Sequence, residues 1–211
     1  DQHPIAKNIY FHSDAVQAAG VLALNIPQLG VDLLSLSAHK FYGPKGVGLL
    51  YIRNGVQINK LLDGGAQERE LRAGTENVAG IVGLAKALEL AVEDLAKQHQ
   101  HLLQLRQHAL TRIEEEIPAT YLNGPRGEQR LPGNLNFSFA GVSAEQLLKL
   151  LDQVGIAASS ASACSAGSLE PSHVLLALGL SPERAQSSLR LTFGRDNTLA
   201  EVDQAIDKLK K

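Results

Sequence analysis

The chain has 211 residues, 44% of them hydrophobic and 20% charged, with a formal net charge of −2; this balance suits a soluble globular protein of one large or two small domains. So small a charge provides no electrostatic footprint for nucleic acid or an anionic membrane surface, no apolar run reaches membrane-spanning length, and the first residues lack the basic start and apolar stretch of a signal peptide. The single cysteine, Cys164, excludes a fold stapled by disulfides and points to a cytoplasmic setting.

The chain opens on Asp1 rather than Met, so a processed or truncated end is expected. No internal repeat is present. IYFHSDAV (9–16) reads as a strand running into a polar tip, VDLLSLS (31–37) as a second strand and VGLLYI (47–52) as a third. Strands followed by polar loops are the usual site pattern of an open α/β sheet. Within HSDAVQ, Asp14 at a strand end can hold a buried cation such as a pyridinium nitrogen, with Gln17 three residues on. Equally, Ser13 or Asp14 can simply cap a following helix.

SAHKFYGPKGVG (37–48) is the densest cluster. Lys40 leaves an apolar strand and enters a glycine-rich turn. Such a lysine is expected near the interior, where desolvation favours the neutral amine that a Schiff base needs. Ser37 and His39 beside it can bind a phosphate. The competing reading is a surface lysine on an ordinary Gly-Pro turn. GGAQERELRAGTEN (64–77) is a polar loop around Gly74 and Thr75, or a solvated linker.

Ile81, Leu84, Ala85, Leu88, Ala91, Val92 and Leu95 recur at helical spacing. The pattern resumes after HQH (99–101) through Leu102, Leu105, Ala109, Ile113 and Ile117, and stops at Pro118. This predicts two helices meeting near His99, with a domain junction there: residues 1–96 before it, and an α+β region over 97–211. In that region LNFSF (135–139) alternates as a strand. Ser143 and Gln146 give a capping-box signal for the helix that follows. Pro171 suits the first turn of a helix ending at Gly179. LRLTF (189–193) reads as another strand, and Thr198 with Glu201 opens a final amphipathic helix.

From Ala157 to Ser168 every residue is Ala, Ser or Gly except Cys164. With nothing large to anchor it, this loop (about 158–170) is expected to be mobile. A mobile thiol suits a nucleophile that collects a group in one place and releases it in another; an incidental cysteine in a flexible loop is the alternative. Arg190 lies inside an apolar strand pattern and needs a partner. A substrate carboxylate and a structural ion pair answer that need equally well. The seven histidines show no HExxH spacing, and one cysteine makes no zinc knuckle, so no metal site is expected.

In this order, SAHKFYGPKGVG, GGAQERELRAGTEN, SSASACSAGSLEPSHVLLALG and SSLRLTFGR resemble the cysteine desulfurases of the NifS/IscS type, pyridoxal-phosphate (PLP) enzymes of the class V aminotransferase fold. The resemblance spans the chain from HSDAVQ to the last helix. It implies an α/β PLP-dependent transferase fold, with the C-terminal part of the large domain followed by a small α+β domain. It implies that Lys40 holds PLP, Asp14 meets the pyridine nitrogen, Gln17 the ring hydroxyl, and Ser37 and His39 the phosphate, with His39 also a proton carrier. Thr75 then reaches the phosphate of a second subunit's cofactor in a homodimer. Arg190 clamps the carboxylate of L-cysteine, and Cys164 carries the sulfur as a persulfide toward an iron–sulfur scaffold or another acceptor. The family's phosphate loop, ring-stacking histidine and ring-hydroxyl asparagine belong to an earlier segment not found in this sequence. A non-catalytic dimerisation or scaffold-binding module, and a related class V enzyme such as a selenocysteine lyase or an aminotransferase, are the alternatives.

Overall fold

Short apolar runs between turn signals build the first part of the chain. The computed structural model describes residues 9–160 and 171–211. Strand β1 (His12–Asp14) leads through a turn to α1 (Ile26–Leu29), β2 (Leu33–Ser37), a 3-10 turn over Ala38–Phe41, and β3 (Gly48–Ile52). β1 is parallel to β2 and β3 antiparallel to it, in the order β1-β2-β3. β1 is shorter than the apolar run around it. The Asp14 side chain accepts from the Val16 N–H at 3.0 Å, and this local turn competes with continued strand. α1 begins at Asn25, whose side chain accepts from the Gln28 N–H, and ends at Gly30 with φ 66.

α2 (Val78–Glu93) starts from Asn77, whose side chain accepts from the Gly80 N–H, and α3 (Leu95–Glu116) follows after Asp94. The helix break therefore falls at Asp94, not near His99. Hydrophobic spacing runs through Val92 and Leu95 without interruption, so periodicity could not reveal it. The polar HQH segment lies inside α3, where His101 Nε2 bonds the Asn197 carbonyl at 3.0 Å.

β4 (Thr120–Leu122), β5 (Asn134–Phe139), α4 (Ala144–Gln153), α5 (His173–Ala177), α6 (Pro182–Gln186), β6 (Ser188–Thr192) and α7 (Leu199–Leu209) complete the described chain. The second sheet is antiparallel in the order β4-β5-β6. Ser143 caps α4 without a side-chain bond, so the capping box expected there does not form. Pro171 precedes the Ser172 cap of α5 and lies outside its first turn. Gly179, at φ 86, ends α5 as its sequence position suggests: its N–H reaches the Leu176 carbonyl and the Leu180 N–H reaches that of Leu175. The capping box at Thr198 and Glu201 is fully formed.

The chain divides into two compact units, Asp1–Lys97 and Gln98–Lys211, each with its own core. In the first, Val31, Leu34, Leu36, Ala38 and Phe41 pack with Leu84 of α2. In the second, Leu135, Phe137 and Leu189 of the sheet pack with Leu105, Ala109 and Ile113 of α3 and Val202 and Ile206 of α7. Both sheets are therefore covered on one face by helix, as the period-two alternation of their strands requires.

Candidate functional site

The register of the first sheet sorts its side chains. Asp14 pairs with Ser35, His12 with Leu33, Ser35 with Leu50 and Ser37 with Gly48. Alternation then places His12, Asp14, Ser35, Ser37, Gly48 and Leu50 on one face. The opposite face carries Leu34 and Leu36, both buried in the core. The polar face is open among the described residues: His12, Asp14 and Leu50 are exposed, and Ser35 and Ser37 half-buried.

Lys40 lies on the 3-10 turn that leaves β2 beside this face. Ser37 Oγ and His39 Nδ1 are 2.8 Å apart, so two of the expected phosphate ligands already form a pair. The turn is fixed from within and from below. The Ala38 N–H donates to the Val47 carbonyl at 3.1 Å, and the Gly43 N–H to the Ala38 carbonyl at 2.8 Å. Phe41 is buried beneath it. A side chain at Gly43 would meet Ala38 and Ala87 of α2 at 3.0 Å, so the glycine lets the helix approach the turn. Tyr42 between them adopts φ 65, a strained value for a non-glycine residue and the kind of outlier found near functional groups. Lys40 and His39 are exposed in this chain. The expectation of a lysine near the interior is thus corrected: the turn anchors Phe41, one residue on, and directs Lys40 outward.

Gln17 and Thr75 lie on loops outside the strands and the 3-10 turn. Gln17 is exposed in the turn after β1, and Thr75 is exposed between Gly74 and the cap of α2. Among the described residues neither is hydrogen-bonded to Asp14, Ser37, His39 or Lys40. The loop before Thr75 is tied by Gln67, whose side-chain oxygen accepts from the Gly74 N–H at 3.2 Å. Glu68, Arg69 and Glu70 take φ values of 50, 58 and 66, a left-handed turn made without glycine.

In the second unit, Arg190 lies opposite Asn136 in the register, and on its other side it forms a bridge with Ser159. Its face of the sheet is polar. Asn123 donates to the Asn136 side chain and to Ser138 Oγ, both at 2.8 Å, and to Ser188 Oγ at 3.1 Å. Arg184 of α6 donates to Asn123 Oδ1 at 3.0 Å and lies over the Tyr121 ring, 5.2 Å from its centroid. Among the described residues no carboxylate forms an ion pair with the half-buried Arg190. Of the two partners the sequence leaves open, the structural ion pair is therefore the one these residues do not supply. Cys164 and the rest of its loop from 161 to 170 lie outside the described residues. No cluster of three or more His, Cys, Asp or Glu side chains suited to a metal occurs among the described residues, and no described helix is long and apolar enough to cross a membrane.

Sequence reasoning passed over Ser35 and His12, which share the open face with Asp14. The signal was present: in LLSLS, serines recur at every second position of an apolar strand, marking one face as polar.

The residues present fit a flat, charged, phosphorylated ring. Ser37 and His39, bonded to each other, leave a proton of the pair to offer an anion. Asp14 keeps one carboxylate oxygen beyond the one bonded to Val16, and Lys40 lies on the turn that follows Ser37.

Comparison with known proteins agrees in extent and kind. Residues 3–205 match the family model described as aminotransferase class-V. The chain is 54% identical over 206 residues to a cysteine desulfurase IscS of Clostridium botulinum, covering 97% of this chain and 52% of that protein. It is 52% identical over 204 residues to a cysteine desulfurase IscS of Dictyoglomus turgidum, with the same two coverages. A solved NifS-like protein superposes with a TM-score of 0.86 at 39% identity, over 97% of this chain and 52% of that one. The chain spans about half the length of the curated relatives it matches.

Proposed function

The chain belongs to the aminotransferase class-V family and has its mixed α/β fold, and on that premise we propose that it forms part of a PLP-dependent cysteine desulfurase. In this reading residues 1–96 are the C-terminal part of the large cofactor-binding domain and 97–211 the small domain. The reaction converts L-cysteine to L-alanine and leaves its sulfur as a persulfide on Cys164, for delivery to an iron–sulfur scaffold or another acceptor. The protein works as a cytoplasmic homodimer, with Thr75 reaching the phosphate held by the second subunit.

One observation carries the reading: a single open sheet face bears Asp14 and Ser37, with His39 and Lys40 at its end. Bound there, PLP supplies an electron sink for the α-carbon of the substrate. Lys40 holds the cofactor through its amine. Asp14 would offer its carboxylate to the ring nitrogen, and Gln17 its amide to the ring hydroxyl. Ser37 and His39 bind the phosphate, and His39 carries a proton at its imidazole. Arg190 binds the substrate carboxylate through its two-pronged guanidinium. The Cys164 thiolate attacks the substrate sulfur. A sulfur–sulfur bond forms, the carbon–sulfur bond breaks, and the carbon retains the electron pair and takes up a proton to give alanine. Only the thiolate attacks efficiently, so the site must favour deprotonation of Cys164.

Absorbance and product analysis test this on the full-length protein. Loaded with PLP, it is expected to show the visible band of lysine-bound cofactor and to release alanine from cysteine. Lys40→Ala should lose the band. Cys164→Ser should keep the band while losing sulfur transfer. A protein without band or alanine would sink the enzyme reading in favour of a binding module. Undiminished sulfur release by Cys164→Ser would instead favour a related class V enzyme that uses no persulfide.

A further inference from the structure

We propose that His12 and Ser35 are positioning residues that hold the Asp14 carboxylate toward the cofactor ring; the proposal rests on the PLP reading above. Three bonds bracket Asp14. His12 Nε2 lies 2.8 Å from Ser35 Oγ. The Ala15 N–H donates to the Ser35 carbonyl at 3.0 Å. The Val16 N–H donates to Asp14 Oδ1, also at 3.0 Å. Ser35 thus grips β1 on both sides of Asp14, through its hydroxyl before it and its carbonyl after it.

The His12 contact is directional. The residue directly opposite His12 is Leu33, which has no polar side-chain atom. The imidazole instead reaches diagonally to Ser35, the register partner of Asp14. Adjacent strands lie about 4.8 Å apart, so the register sets the Ser35 and Asp14 side chains next to each other on one face. A hydroxyl has one proton and two acceptor sites. When His12 Nε2–H donates to it, its own proton is available to the Asp14 oxygen that Val16 leaves open. Each serine of β2 thus holds one imidazole: Ser37 that of His39 on the turn, and Ser35 that of His12 on β1.

The test measures cofactor affinity and spectrum in the full-length protein, with far-ultraviolet circular dichroism as the check on folding. His12→Ala and Ser35→Ala are expected to bind PLP about tenfold more weakly, the loss of roughly one charge-assisted hydrogen bond, and to shift the visible band of the bound cofactor while the dichroism stays unchanged. His12→Gln retains a donor toward Ser35 and should restore both affinity and band position. Wild-type affinity and an unshifted band in both alanine variants would overturn the proposal. So would a glutamine variant as impaired as His12→Ala, or losses of affinity that track losses of fold. Failure of the wild-type protein to take up PLP is a separate result that removes the cofactor reading and this inference together.

Discussion

Arg190 shows what a single side chain can owe to its place in a sheet. Its backbone N–H and carbonyl both bond Ser159, with Asn136 opposite it in the register on the other side, yet its guanidinium forms no ion pair among the described residues. A guanidinium so placed is suited to receive a carboxylate. A planar guanidinium binds a carboxylate through two parallel bonds, and an ammonium binds it through a point charge. Arg190→Lys in the full-length protein should therefore raise KM for L-cysteine by about tenfold with a smaller change in kcat, the pattern of a ground-state binding contact. Steady-state kinetics of the two proteins checks it; an equal fall in kcat with unchanged KM would count against the clamp. Arg106 is the contrasting case. It is buried in the second unit and gives its donors to the carbonyls of Gly127, Arg130 and Leu131. Burial pushes its pKa down, and its satisfied donors fasten the loop before β5 rather than await a ligand.

Helix α7 is held to α3 by more than its apolar face. Val202 and Ile206 enter the core, while Arg112 of α3 meets Glu116 at 2.6 Å, Asp203 at 2.9 Å and Asp207 at 2.7 Å. His108 reaches Asp203, and Lys210 reaches Glu116, each at 2.6 Å. Hydrogen bonds from Arg112, and then from Lys210, hold the Glu116 carboxyl down to about 2 from its usual 4.5. His108, and then Arg112, lower that of Asp203 as well. The sign follows from the lowered value in the folded chain. Ionised Glu116 favours folding above the ordinary carboxylate range, and the contribution disappears as pH falls from about 4.5 toward about 2. Glu116→Gln should therefore melt below wild type at neutral pH, with the gap closing as pH approaches about 2. Melting curves across that interval measure it, and a gap independent of pH would show that packing, not charge, joins the helices. Both partners of this latch sit on the polar faces of helices that the sequence already marked as amphipathic. Their pairing was not legible there, because α3 and α7 are some ninety residues apart at the contact.

At the scale of the whole chain, two units with separate cores imply separable stability. Leu189 is fully buried in the second core with Phe137 and Ile206. Leu189→Ala should cost roughly 2–5 kcal/mol there, and amide hydrogen exchange should accelerate in β5, β6 and α7 while β2 of the first unit keeps its protection. Uniform acceleration across both units would show instead that they unfold as one. The period-two and helical patterns were enough to anticipate β2, β3, α2, β5, β6 and the capped start of α7, since those signals come from neighbours in the sequence. The same local reading misplaced the helix break, expected a capping bond at Ser143 that does not form, and turned Lys40 inward. Two of these depend on packing the local window does not show: a histidine in the polar stretch held by a distant carbonyl, and a turn anchored by buried Phe41 rather than by its lysine. The order of the four motifs was sufficient by itself to identify the family. Strand register alone decided that Asp14, Ser35 and Ser37 share one face with His12, because pairing β1 with β2 aligns residues about twenty apart and a slip of one position would have turned either strand's polar side chains to the core.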